Sequence, residues 1–220
     1  MDSRQIKEEI KSAYDEIAPV YLNWTQSSHQ IRLAHLDIML KQLDSSSPSS
    51  QKNILELGCG AGVPCTQVLA ARKDIHVTAN DISETQIAMA KEQLLPASSS
   101  VELIQGDMMA LEFAPAQFDA VLGMYSIFHL PRDEQTTILA RIFHWLKPGG
   151  LLLANFAAEP FASLSDPSWL GGTRGGMHWS SWGRDKIKTI ITALGFEVQV
   201  DEVVVDDEEN VAFHWVLARK

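Results

Sequence analysis

Asn53-Ile54-Leu55-Glu56-Leu57-Gly58-Cys59-Gly60-Ala61-Gly62 sets an apolar strand directly against three alternating glycines, and Val63 to Arg72 reads on as a helix. A strand that ends in such a turn lets a ligand touch the backbone, because glycine carries no side chain to block the approach. Without a ligand the same residues would serve as a tight strand-to-helix turn. Two acids further along narrow the choice. Asp81 follows the apolar run Ile75–Ala79, and Asp107 follows Val101–Gln105.

The elements around that stretch alternate. Strands are expected at 53–57, 75–79, 101–105, 118–123 and 151–156, with helices at 63–72, 83–95 and 132–146 between them. Ser83 is a good N-cap for the second of these helices, and Lys147-Pro148-Gly149-Gly150 stops the third. Alternation of this kind predicts a parallel sheet covered on both faces. After a helix at 184–194, the runs 196–205 and 211–218 flank the acidic turn Asp206-Asp207-Glu208-Glu209-Asn210 and predict an antiparallel hairpin on the sheet edge. Consecutive acids repel and hydrate, so that turn reads as solvated rather than as a metal or partner site. Ahead of the alternation, Ile6, Ile10, Tyr14 and Ile17 predict an amphipathic helix over 3–18, and Leu33, Leu36, Met39 and Leu43 a second over 30–43. The serine-rich stretch 44–50 reads as a connector. The chain therefore divides into a helical cap and connector at 1–50 and an α/β core at 51–220.

Composition excludes several classes. The 220 residues suit one domain and bury roughly 70% of their unfolded surface, enough for a core without disulfides or a structural metal. With 28 acidic against 18 basic residues the net charge is −10, and no basic cluster offers a nucleic-acid surface. No apolar run approaches the ~20 residues of a membrane helix, and the N-terminus lacks an apolar signal region. The expectation is a cytoplasmic protein with a small-molecule partner, no nucleic acid, no membrane and no metal. Cys59 and Cys65 form neither a disulfide framework nor a zinc site.

In an open α/β sheet, ligands bind beyond the carboxyl ends of the strands, where every candidate here lies. The backbone of Gly58, Cys59, Gly60 and Gly62 would meet a bound cofactor. Asp81 can accept two hydrogen bonds from a ribose diol, and Ile82 offers an apolar face to an adenine ring. Asp107 can accept from the exocyclic amine, with Met108 over the ring edge. Gly123-Met124-Tyr125 ends the fourth strand near the reacting group. Taken singly, Asp81 also suits a helix N-terminus and Asp107 a turn.

The motifs E-L-G-C-G-A-G (56–62), N-D-I-S (80–83), G-D-M (106–108), F-D-A-V-L-G-M (118–124) and L-K-P-G-G-L-L-L (146–153) resemble those of class I S-adenosylmethionine-dependent methyltransferases of the small-molecule type, over residues 50–220. The resemblance implies a three-layer Rossmann-like fold, a seven-stranded, mostly parallel sheet with a terminal antiparallel hairpin and an N-terminal helical cap. It implies S-adenosyl-L-methionine as cofactor and S-adenosyl-L-homocysteine as product. It also implies that Glu56 supports the glycine turn, and that the first helix closes over the cofactor and brings Tyr14 and Tyr21 as an aromatic pair.

A sulfonium methyl is already electrophilic, so the protein mainly needs to align an acceptor and exclude water. A base is needed only if the acceptor must lose a proton. His129, just past strand four, is the candidate, with His178 behind it; His129 could equally order the entrance to the next helix. The segment 157–183 carries glycines and tryptophans and reads as a mobile loop over an apolar or planar acceptor, with Trp24, Trp179, Tyr21, His129 and His178 as pocket walls. The expected reaction is methyl transfer to oxygen, nitrogen or sulfur. The rivals are a nucleotide-dependent oxidoreductase, whose fingerprint would need glycine where Val63 stands, and a cofactor-binding module without turnover.

Overall fold

In the computed structural model the described residues are 1–46, 51–94, 100–206 and 210–220. The connector at 47–50, the loop at 95–99 and the hairpin turn at 207–209 lie outside them. Fifteen helices and strands follow one another: α1 (Ser3–Trp24), α2 (His29–Ser46), β1 (Lys52–Leu57), α3 (Cys65–Ala70), β2 (Ile75–Asp81), α4 (Glu84–Gln93), β3 (Val101–Gln105), β4 (Phe118–Gly123), α5 (Arg132–Trp145), β5 (Leu146–Ala157), β6 (Pro160–Asp166), β7 (Met177–Trp182), α6 (Arg184–Ala193), β8 (Glu197–Asp206) and β9 (Val211–Arg219).

Seven strands form one sheet in the order β3-β2-β1-β4-β5-β9-β8. The first five run parallel, β9 is antiparallel to β5, and β8 is antiparallel to β9. Sequence neighbours point to opposite faces, as a pleated strand requires. On one face Ile54, Val77, Leu122 and Leu153 pack under Leu36, Met39 and Leu43 of α2 and Leu69 of α3. On the other, Leu55, Val121, Leu152 and Val216 pack under Ile138 and Ile142 of α5 and Ile187 and Ile191 of α6. The chain leaves β1 toward one edge and returns through β4 toward the other. A crevice therefore opens at the carboxyl ends of β1 and β4, where strand order reverses.

Two expectations are corrected. The first helix does not stop at 18: it runs through Pro19 to Trp24. Proline removes one helical hydrogen bond, but the extra turn places Tyr21 and Trp24 against Trp169, with ring centroids 5.8 and 5.3 Å apart. The segment 157–183 is not a loop throughout. β6 and β7 pair antiparallel as a second, two-stranded sheet, with Leu164 opposite Trp179 and Asp166 opposite Met177. Its glycines gather at the tip between the strands, where Leu170 and Gly171 adopt positive φ. The pairing escaped a local reading because Pro160–Asp166 has no clear alternation. Among the described residues no helix is long and apolar enough to cross a membrane.

Candidate active site

The turn after β1 is fastened to the end of β2. The Gly58 and Cys59 amides both donate to the Asn80 carbonyl, at 2.8 and 2.9 Å. Gly58 has φ +74°, and a Cβ there would collide with the Ser126 side chain, so glycine is required on both counts. Asp81 completes the turn: its Oδ2 accepts from the Gly60 amide at 2.8 Å and its Oδ1 from the Ser83 amide at 2.9 Å. Burial nevertheless pushes the Asp81 carboxyl up to about 6. Glu56 sits behind the turn, accepts the Thr66 hydroxyl at 2.6 Å, and is pushed by burial up to about 7.

A narrow cavity runs along these strand ends. Gly58, Cys59, Gly60, Asp81, Ile82, Asp107, Met108 and Tyr125 line it, and Tyr14 and Tyr21 of α1 close it. Asp107 accepts from the Met109 amide at 2.9 Å and pairs with Lys7 of α1 at 2.6 Å. Lys7 also reaches Glu134 of α5 at 3.2 Å, and Ser3 bonds the same carboxylate. Glu56 and Met124 do not line this cavity; Met124 is packed in the core instead.

Besides Lys7, sequence reasoning missed two residues here. Arg32 of α2 lines the cavity, its guanidinium 4.3 Å over the Tyr125 ring and its Nε bonded to Ser28 at 3.0 Å. No carboxylate of the described residues forms an ion pair with it. The signal was present, since Arg32 heads the same helical stripe as Leu36, Met39 and Leu43, where a charge is out of place. Asp15 is the second: it accepts from the Ser83 hydroxyl at 2.6 Å and the Thr85 amide at 3.2 Å, tying α1 to the start of α4. Nothing local distinguished it from a solvated helix acid.

The cavity also holds unpaired polarity. Both amide atoms of the Gln86 side chain, the Ser126 hydroxyl and the side-chain Oδ1 of Asn80 are buried without a hydrogen-bond partner. Buried polar groups cost free energy unless paired, so these atoms suit a polar ligand. Together with a cation, a glycine turn and two carboxylates, they fit a zwitterionic amino acid joined to a nucleoside.

A second cavity, of about 730 Å³, opens beside the first. Its walls include Tyr21, Trp24, Phe128, Trp169, Trp179 and Phe213. Tyr14, Tyr21, Tyr125 and His129 line both cavities and mark their junction. There Tyr14 Oη lies 3.0 Å from His129 Nε2, and His129 Nδ1 lies 2.7 Å from the His178 carbonyl. A carbonyl only accepts, so Nδ1 carries the proton, and Nε2 receives the Tyr14 hydroxyl. Burial holds the imidazole down to about 4 and the Tyr14 phenol well above its ordinary value. The His178 side chain lines neither cavity; it pairs with Glu9 of α1 at 2.6 Å. His178 instead enters the site through its backbone.

A seven-stranded sheet of this order, with a glycine turn and carboxylates at its strand ends, is that of the Rossmann-like S-adenosylmethionine-dependent methyltransferases, and this chain has their fold. A methyltransferase-domain family matches residues 54–150. The chain is 36% identical to the O-methyltransferase cnsE of Penicillium expansum over 75% of its own length and 58% of that protein's. It is 29% identical to phosphoethanolamine N-methyltransferase 1 of Triticum aestivum, over 54% of this chain and 23% of that one. The chain thus spans less than two thirds of these relatives. Among solved structures, the 1,6-didemethyltoxoflavin-N1-methyltransferase of Burkholderia thailandensis, with its bound acceptor and S-adenosylhomocysteine, superposes with TM-score 0.73 at 16% identity, over 100% of this chain and 91% of that one.

Proposed function

We propose that the chain methylates an oxygen, nitrogen or sulfur atom of a small, apolar or planar organic acceptor, with S-adenosylmethionine as donor. The observation that carries this reading is the meeting of the two cavities at Tyr14, Tyr21, Tyr125 and His129. One is polar and shaped by a glycine turn; the other is aromatic.

In the first cavity Arg32 and the Gly58–Gly60 backbone would hold the methionine carboxylate and amine. Asp81 would take the ribose diol, and Asp107 with Ile82 and Met108 the adenine. Bound there, the cofactor supplies a sulfonium methyl, an electrophile that needs no further activation. The protein's task is then to orient the acceptor and keep water out, which the rings of Tyr14, Tyr21 and Trp169 do at the junction. An acceptor O–H or N–H can donate to Tyr14 Oη, whose own proton passes to His129 Nε2. The resulting imidazolium keeps its Nδ1–H on the His178 carbonyl. Since burial disfavours that cation, proton removal is coupled to methyl transfer, when the acceptor becomes acidic, rather than preceding it.

Calorimetric titration with S-adenosylmethionine and S-adenosylhomocysteine tests the assignment, with NADH and NADPH as controls. Micromolar binding of the sulfur compounds alone is expected. Asp81→Ala should weaken it by about 1.5–3 kcal/mol, the range for a hydrogen bond to a charged group. Equal affinity in a folded Asp81→Ala protein would remove the ribose contact, and binding of NADH would overturn the reading.

A further inference from the structure

The two cavities differ in charge. The cofactor cavity is lined by Lys7 and Arg32 as well as by Asp81 and Asp107. Among the described residues that line the acceptor cavity there is no lysine or arginine, and the only carboxylate is Asp166. Asp166 ends β6, and its Oδ1 accepts from the Ser168 amide at 2.8 Å and from the Ser168 hydroxyl at 3.1 Å. Around it the walls are rings. Trp24 and Trp169 meet edge to face at 5.3 Å, Trp169 and Trp179 at 5.7 Å, and Tyr21 stacks on Trp24 at 6.0 Å. His129 adds no positive charge near neutral pH, because burial keeps it neutral.

An anionic acceptor entering this cavity would lose hydration and meet one carboxylate and several electron-rich ring faces. No lysine or arginine among the described lining residues repays that loss with a charge. A cation meets the opposite situation: aromatic faces attract it, and Asp166 offers a counter-charge. A phosphate-bearing substrate, such as the one in the name of the wheat relative, therefore finds no lysine or arginine partner among the described residues of these walls.

We infer that the acceptor is a planar aromatic compound carrying a protonated amine, with the rings of Trp24, Trp169 and Trp179 boxing its body, Asp166 reading its ammonium group, and anionic analogues rejected. The inference rests on the methyltransferase reading, because it takes the aromatic cavity to be the acceptor site.

Three indoles that share one ring system test it: tryptamine, tryptophol and indole-3-propionate carry an ammonium, a hydroxyl and a carboxylate. Each is titrated into protein saturated with S-adenosylhomocysteine. Tryptamine should bind about fivefold or more tighter than tryptophol, as a partly exposed charge pair backed by cation–π contact gives, and indole-3-propionate weakest. Asp166→Asn keeps an acceptor for Ser168 and should narrow the gap between tryptamine and tryptophol to what the rings alone provide, leaving S-adenosylhomocysteine affinity unchanged. Equal or tighter binding of indole-3-propionate, an unchanged preference in Asp166→Asn, or no binding of tryptamine at millimolar concentration would each overturn the inference. Failure of S-adenosylhomocysteine itself to bind would instead strike the methyltransferase reading.

Discussion

Two carboxyl groups beneath the glycine turn are held in a costly state. Glu56 is pushed by burial from an ordinary 4.5 up to about 7, and Asp81 from 3.8 up to about 6. A folded-state value above the unfolded one means that the folded protein binds the extra proton. Glu56 therefore makes stability fall as pH rises from about 4.5 to about 7, the reverse of a salt-bridged acid. Glu56→Gln keeps an acceptor for the Thr66 hydroxyl and removes the buried charge. It should raise the melting temperature at about pH 8 by about 2–4 °C, the equivalent of about 1 kcal/mol in a domain of this size, with the gain vanishing below about pH 4.5. A variant that melts below the wild type at the higher pH would show that the charge supports the turn. His129 runs the other way. Its value, lowered by burial to about 4, makes its contribution full above about 6.5 and lost as pH falls toward 4.

Among the elements, α1 does the most unusual work. Its Lys7 and Tyr14 reach the cofactor cavity, its Glu9 holds His178, and its Glu16 holds the tip of the β6–β7 sheet. The Glu16 carboxylate accepts from the Thr173 amide and hydroxyl, both at 2.7 Å, and from the Arg174 amide at 2.8 Å. Trp169 rides on that tip with Leu170, whose φ of +52° is strained for a branched side chain. These bonds join the wall of the aromatic cavity to the helix that closes the polar one. Glu16→Ala should speed amide hydrogen exchange across 170–175 and leave exchange in β1 unchanged. Unaltered exchange at the tip would show that the ring contacts alone hold Trp169 in place.

In the molecule as a whole, the sheet with its packed helices, α2 among them, is the core, and α1 is laid across its crevice. The core packs β1, β4 and β5 between two layers of helices. By contrast, α1 is held by a smaller cluster around Ile10, Ala13, Tyr14, Ile17 and Met177, and by partly exposed ion pairs from Lys7 to Asp107 and from Lys11 to Glu84. A ligand that bridges cap and sheet should therefore stabilise the entire fold. S-adenosylhomocysteine at 100 times its dissociation constant adds about 2.7 kcal/mol, which should raise the melting temperature by about 5–10 °C. An unchanged melting curve at that concentration would mean that the compound does not bind the native protein. NADH should leave the curve where it is.

The five parallel strands, the terminal hairpin, the glycine turn, Asp81 and Asp107 were all legible in the chain read alone. Each is a local signal: an apolar run, a turn residue after it, an acid at the strand end, separated by a few residues. The far side of the site was legible only in outline. Tyr14 and His129 were each singled out, but their contact joins residues 115 positions apart. His178 was expected in the pocket for its side chain and contributes its carbonyl. Arg32, Lys7 and Asp15 act through partners on other elements, and β6 pairs with β7 without an alternating pattern to announce it. Local propensity places a residue on an element and gives it a face. Which distant side chain that face meets depends on how the layers pack, and here packing brought a half-buried cation, a tyrosine–histidine pair and an aromatic box to one crevice.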